Sequence, residues 1–260
     1  MDPSRVQTPA DLEELVHNLY GEILGPIAGT AHVVAATASS GAELSVMKID
    51  ASTPKSDHDF FALQLSRVRA DAIVVTGGIL RAEPNLRYDL EGSPDFVRAL
   101  TAYRDTRCGH QTPPVLVILT RGRVPDAHPV WESWARPLVF TSDHGATNLA
   151  GKLPSRVSVV GVEEPSVRSA LAHLARIGCR SISVEAGPST AASLYDPLAL
   201  DEVLLSTFAG PLSPSQRAGT IPNPERHTAL RRVSSQEREE PSGTWSFRRY
   251  RRTSRDEASA

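Results

Sequence analysis

The stretch from Ser181 to Leu194, SISVEAGPSTAASL, combines residue types that could hold a phosphorylated ligand. Ile182 and Val184 make a short β-branched run that reads as a buried strand. The chain then turns sharply at Gly187, and Pro188 suits the first position of a helix. Ser189 and Thr190 put hydroxyls into the first helical turn, while Ala191, Ala192 and Ser193 keep that end open. A helix start carries unpaired N–H groups and partial positive charge, and a residue without a Cβ lets backbone or ligand come close. Together these features suit phosphate, so the turn reads as the diphosphate cradle of a nucleotide cofactor.

The elements that must position this turn follow from hydrophobic spacing. Residues 31–38 read as a first strand carrying Thr37, and 44–49 as a short second one. Ser56 is a good N-cap, with Asp57 and Asp59 in the first turn, and Phe61, Leu65, Val68 and Ala72 give one apolar helix face. Ala72–Thr76 is a buried strand with Gly77 and Gly78 at its end. A helix from Pro94 to about Arg104 precedes strands at 115–119, 138–141 and 157–160. A helix over 166–177, stopped by Gly178, leads into the organising strand. Residues 202–208 are a further strand, and 244–250 an antiparallel C-terminal edge strand. This alternation predicts an α/β fold: a mainly parallel central sheet with helices on both faces. In such sheets ligands sit beyond the carboxyl ends of strands, where Gly77-Gly78, Thr120-Arg121 and Ala186-Gly187 all fall.

Residues 1–29 read as a helical extension, started at Thr8, with Leu12, Leu15, Val16 and Leu19 on one side and Gly25, Pro26 and Gly29 ending it. It is expected to pack on the outside of the domain or on a partner subunit. Residues 30–253 make the main domain, with a mobile loop at 212–227, and 254–260 a polar tail. The 260 residues are 40% hydrophobic, enough for a substantial core, and the net charge of −2 gives no bias towards nucleic acid or anionic membrane. Cys108 and Cys179 have no metal-ligand spacing, and the scattered histidines add none, so no metal site is expected. With no signal-like N-terminus and no membrane-length apolar run, the expected location is a reducing cytoplasm.

Four segments occur in a recognisable order: ADAIVVTGGILR at 70–81, LTR at 119–121, VEAGP at 184–188 and LDEV at 200–203. The set resembles the reductase domain of the bifunctional riboflavin-biosynthesis deaminase–reductases, over roughly residues 30–253. No zinc-deaminase motif accompanies it, so the chain is similar to stand-alone reductases. The resemblance implies a dihydrofolate-reductase-like fold, a homodimer, and NADPH-dependent reduction of a small heterocycle such as 5-amino-6-(5-phosphoribosylamino)uracil. The nicotinamide would supply the hydride, and the protein orientation and electrostatics. A reductase of secondary or pterin metabolism, and a catalytically degenerate nucleotide-binding protein, are the alternatives.

Carried over residue by residue, the resemblance is uneven. Gly78 matches the second Gly of the family's G-x-G-T turn and Arg81 its following Arg, whereas Thr76 and Ile79 stand where the family has Gly and Thr. Glu83 takes the acidic place that follows, and Arg87 is the candidate for binding substrate phosphate. Ser40 replaces the Asp of S-L-D-G; Glu185 keeps the Glu of E-G-G, but Ala186 replaces its next Gly. The implied substrate residues are therefore Ser40, Arg81, Glu83, Arg87 and Glu185. The implied cofactor residues are Thr37, Gly78, Thr120, Arg121, Ala186, Gly187, Pro188, Ser189 and Thr190. An Arg121 fork would meet the 2′-phosphate of NADPH, with Arg123 beside it. No residue stands out as the proton donor.

Overall fold

The computed structural model describes residues 1–38, 41–48, 50–195 and 198–253. The elements are α1 (Pro9–Tyr20), β1 (Gly29–Ala38), β2 (Glu43–Met47), α2 (Asp57–Val68), β3 (Ala72–Thr76), α3 (Gly77–Ala82), α4 (Pro94–Arg107), β4 (Val115–Leu119) and β5 (Arg136–Ser142). They continue with α5 (Asp143–Leu149), β6 (Ser158–Val162), α6 (Val167–Arg176), β7 (Ser181–Val184), α7 (Pro188–Ala192), β8 (Glu202–Phe208), β9 (Arg217–Pro222), β10 (Leu230–Glu240) and β11 (Gly243–Arg252). The sheet runs β10-β11-β8-β1-β7-β3-β4-β5-β6, with β2 on β1 and β9 on β2. From β8 to β6 all neighbours on this path are parallel.

The period-2 alternation of strand side chains divides the core. Ala72, Val74, Val117 and Phe140 point to one face, beneath Val167, Ala170 and Leu174 of α6. Ile73, Val75, Leu116 and Ile118 point to the other, against Leu80 of α3. Around β1, β8 and β11 that second face is covered by α2, α4 and α1, through Phe61, Leu65, Leu100 and the whole apolar stripe Leu12, Leu15, Val16 and Leu19. The N-terminal helix thus shares the domain's core. Its Thr8–Asp11 capping box forms as the sequence indicates, and it stops at Gly21 (φ 79°), earlier than the predicted Gly25.

The C-terminal edge is antiparallel as expected, but it is a hairpin: β11 pairs with β8 on one side and β10 on the other, so β10 is outermost. The stretch 212–227, read as a mobile loop, contains β9, which pairs with β2 in the register Leu44↔Ile221. Among the described residues no helix is long and apolar enough to cross a membrane.

The strands neighbouring β1 change along its length. Residues 29–32 pair with β7, whereas 36–38 pair with β2. Beyond His32 the carboxyl end of β7 therefore parts from β1, and Glu185 donates its N–H to Val74 O of β3 at 2.9 Å. Divergence of this kind at carboxyl ends is where open α/β sheets make ligand crevices.

Candidate functional site

A cleft of about 730 Å³ lies beyond the carboxyl ends of β3 and β4, with Thr190 and Ser193 from the α7 segment on its wall. Thr76, Gly77 and Gly78 contribute from β3 and α3, Leu119 to Arg123 from the end of β4, and Pro165 to Val167 from the start of α6. Its charged lining is Arg81, Arg121 and Arg123, with no carboxylate among the lining residues. Concave, cationic and close to helix starts, it suits an anionic ligand.

The loop bearing these arginines is shaped by two close approaches. A Cβ on Gly77 would lie 3.0 Å from the Thr120 side chain, so this glycine lets α3 begin against the end of β4. Gly122 has φ 93°, and a Cβ there would come 2.8 Å from Gly145 Cα, so the turn seats directly on α5. Thr120 Oγ1 accepts the Arg123 N–H at 3.2 Å, and Arg81 donates to Gly77 O at 3.0 Å and Arg123 O at 2.8 Å. Arg81 therefore braces the cationic turn while lining the cleft.

Of the cofactor residues read from the sequence, the cleft gathers Gly78, Thr120, Arg121 and Thr190. Gly187 caps α7 with φ −60° and ψ 162°, a conformation open to any residue, and a Cβ there would meet nothing within 4 Å. The empty space around it is consistent with an incoming ligand. Ala186 has no positive φ and packs against the core, so replacing Gly there costs no backbone strain. Pro188 faces β9, where a Cβ on Gly219 would lie 2.9 Å from its ring, and Ser189 is exposed beside it. Thr37 stands apart: its hydroxyl donates to Phe208 O at 2.9 Å and Gly210 O at 3.0 Å, tying down the end of β8.

The substrate residues divide. Ser40 lies outside the described residues. Arg87 turns away, donating to Asp89 Oδ2 and to Glu132 O, each at 2.6 Å. Glu185 is a buried ion-pair partner: Arg67 donates from Nε to both carboxylate oxygens at 3.1 and 3.2 Å and from a terminal nitrogen to Oε2 at 2.9 Å. Burial opposes the Arg67 charge, but Glu185 outweighs it and holds the guanidinium charged. That guanidinium stacks over the Tyr88 ring at 4.6 Å. Glu83, at the end of α3, has its carboxyl pushed above the usual range by burial, partly offset by Arg67 and Lys55. Burial drives the Tyr88 phenol well above its ordinary range, with Glu185 adding to the rise, so it stays protonated. Sequence reasoning missed Arg67 and Tyr88. The available signal was an arginine just before Val68, beside the buried helix face.

At the opposite end of the sheet, Arg69 donates to Glu202 at 2.6 and 3.1 Å and Arg249 donates to it at 3.2 and 3.0 Å. Burial raises the Glu202 pKa, but the two guanidinium groups outweigh burial and bring it to about 2. Asp201 accepts the Thr30 N–H at 2.9 Å, so both acids serve the fold.

Residues 36–236 match the model of the RibD C-terminal domain. No curated protein matches the sequence. Among solved structures, a pyrimidine reductase-like protein from Corynebacterium diphtheriae is similar at 20% identity and TM-score 0.61, over 87% of this chain and 92% of that one. RibD from Acinetobacter baumannii is similar at 15% identity and TM-score 0.60, over 88% of this chain and 58% of that one. A diaminohydroxyphosphoribosylaminopyrimidine deaminase/5-amino-6-(5-phosphoribosylamino)uracil reductase from Thermotoga maritima matches at 19% identity and TM-score 0.56, over 88% and 57%. The chain thus spans less than two thirds of those last two proteins. These likenesses bear out the α/β fold, and the family match, over more than half of the sequence, agrees with the four segments at 70–81, 119–121, 184–188 and 200–203. The chain belongs to the RibD C-terminal domain family.

Proposed function

We propose that the protein is an NADPH-dependent reductase of a small heterocycle, of the kind named for the Thermotoga maritima neighbour. The observation that carries this reading is the cleft: three arginines, no lining carboxylate, and a size within the range of cofactor sites. NADPH brings a diphosphate and a 2′-phosphate, the anions such a lining recognises. Gly78 and the Thr190 and Ser193 hydroxyls would meet the diphosphate, with Gly187 leaving room, and Arg121 and Arg123 would fork onto the 2′-phosphate. When bound, NADPH supplies a hydride from its nicotinamide. The chain's own part would be to orient the acceptor, with Glu185, held by Arg67, accepting a substrate N–H or O–H.

One observation favours a related substrate without a phosphate. Arg87, the expected phosphate ligand, is committed to Asp89 and Glu132 O. The assay is oxidation of NADPH with 5-amino-6-(5-phosphoribosylamino)uracil. Turnover supports the pathway substrate; tight NADPH binding without turnover directs the search to dephosphorylated heterocycles or pterins. We also propose a homodimer and a cytoplasmic location, checked by sedimentation and cell fractionation.

A further inference from the structure

The helix α7, which puts Thr190 on the wall of the arginine-lined cleft with Ser193 just beyond it, is only five residues long. Its N-cap, Gly187, has no side chain to cap it. A single helical turn fixes several backbone dihedrals for few hydrogen bonds, so a helix this short does not hold itself. Its anchor lies just past its end. Leu194 donates its N–H to Ala191 O at 2.9 Å and Tyr195 donates to Ala192 O at 3.1 Å, so the turn runs on as far as Tyr195. There it is fastened from two sides. The Tyr195 hydroxyl is hydrogen-bonded to His32 Nδ1 of β1 at 2.9 Å, and the two rings meet edge to face at 5.8 Å. The Tyr195 C=O accepts from His227 Nε2 at 3.0 Å. His227 Nδ1 accepts the Ala229 N–H at 3.3 Å, which leaves Nε2 as the donor of that ring.

His32 is a costly residue for its place. It is 1% exposed, and its Nε2 is sealed with no partner among the described residues. An unpaired buried nitrogen costs stability that an apolar side chain there would not. Packing alone therefore does not account for His32, whereas its bond to Tyr195 does. β1 is also a firm anchor, since it pairs with β7 on one side and β8 on the other. Resting on the NADPH reading of the cleft, we propose that Tyr195 is a positioning residue for the cofactor: the His32–Tyr195 bond seats α7, so that Thr190 and Ser193 are in place before the nucleotide arrives. Without that bond, part of the binding free energy goes into ordering α7. The apparent affinity then falls by the fraction of molecules in which α7 is seated. Thr190 and Ser193 are assigned to the diphosphate, which NADPH and NADH share, so the effect falls equally on both nucleotides. That separates Tyr195 from Arg121, which acts on the 2′-phosphate alone.

The test is fluorescence titration of NADPH and NADH into wild-type protein and Tyr195→Phe, well below the melting temperature of either. Phenylalanine keeps the ring against His32 and removes only the hydroxyl. The expected result is that Tyr195→Phe binds both nucleotides about tenfold more weakly, with the ratio of the two affinities unchanged. A lowered melting temperature with unchanged affinities would make the tyrosine merely structural and overturn the inference. Weaker binding of NADPH alone overturns it too. If Tyr195→Phe does not fold, His32→Leu and His32→Asn carry the test. Asparagine offers a polar group near the place of Nδ1, so it should recover most of the affinity that leucine loses; equal affinities of these two variants overturn the inference. A wild type that binds neither nucleotide refutes the cleft reading and this inference with it, whereas a wild type that binds both no better than Tyr195→Phe does refutes the inference alone.

Discussion

Arg67 and Arg69 flank Val68 at the end of α2, yet their side chains meet glutamates at opposite ends of the sheet. At the amino end, Glu202 takes two guanidinium groups, from Arg69 and Arg249, and its oxygens are occupied. At the carboxyl end, Glu185 takes one, from Arg67, whose guanidinium also lies over the Tyr88 ring. Both carboxylates are almost fully buried, with side-chain exposures of 5% and 6%. A buried ion pair is weak evidence of stabilisation, because desolvation offsets much of the attraction. What separates the two is saturation. The completed pair joins β8, β11 and the end of α2; the other lies at the carboxyl-end rim, where open α/β sheets form crevices, and among the described residues its side chain is hydrogen-bonded by Arg67 alone.

The largest expected effect comes from breaking the saturated pair. Glu202→Gln leaves Arg69 and Arg249 buried without their counter-charge, and should cost about 3–5 kcal/mol in urea unfolding. A loss below about 1 kcal/mol would put this pair in the class of exposed ion pairs and dissolve the contrast.

Next in size is the response to acid. Burial lowers the His32 pKa to about 4, so the folded state resists protonation that the unfolded chain accepts at about 6.5. Stability is therefore complete above pH 6.5 and falls as pH drops towards 4, by about 3 kcal/mol. Glu202 adds to the loss only below its ordinary value of 4.5, as pH falls towards about 2. Denaturant midpoints that stay flat between pH 7 and 4 would contradict the His32 assignment.

Arg67→Met sharpens the comparison from the other side. The rim glutamate can draw water, so unfolding stability should drop by only about 1–3 kcal/mol, less than for Glu202→Gln. Reductase kcat/KM should fall about a hundredfold as the carboxylate loses its orientation, and Arg67→Lys should recover part of it. A stability loss matching that of Glu202→Gln, with kcat/KM retained, would make both pairs structural. The smallest effect is expected at Gly122→Ala. The new methyl meets Gly145 and shifts the turn bearing Arg121 and Arg123, weakening NADPH about tenfold in a fluorescence titration.

The division between legible and hidden features follows the same physics. Strands buried on both faces, such as Ala72–Thr76 and Val115–Leu119, were readable because burial imposes continuous apolar runs. The cleft was readable where glycine and arginine follow those strands, at Gly78 and Arg121. The strand β10 escapes sequence reading because LRRVSSQEREE lies at the sheet edge, is polar apart from Leu230 and Val233, and carries no apolar alternation. β9 reads as a loop in the sequence because its register depends on β2, distant along the chain. Arg67 and Tyr88 were hidden for another reason: a buried charge and a buried hydroxyl look like solvated residues until their partners are seen. Arg81, Arg87 and Thr37 also carry hydrogen bonds to nearby carbonyls and to Asp89 that their sequence does not signal.

The central claim, that the arginine-lined cleft is an NADPH site, is tested most directly by titrating NADPH and NADH into the wild type and Arg121→Ala. The account predicts NADPH binding at least about tenfold tighter than NADH, with that preference lost in Arg121→Ala while the NADH affinity stays the same. Binding of neither nucleotide, or a preference that survives the substitution, would contradict it.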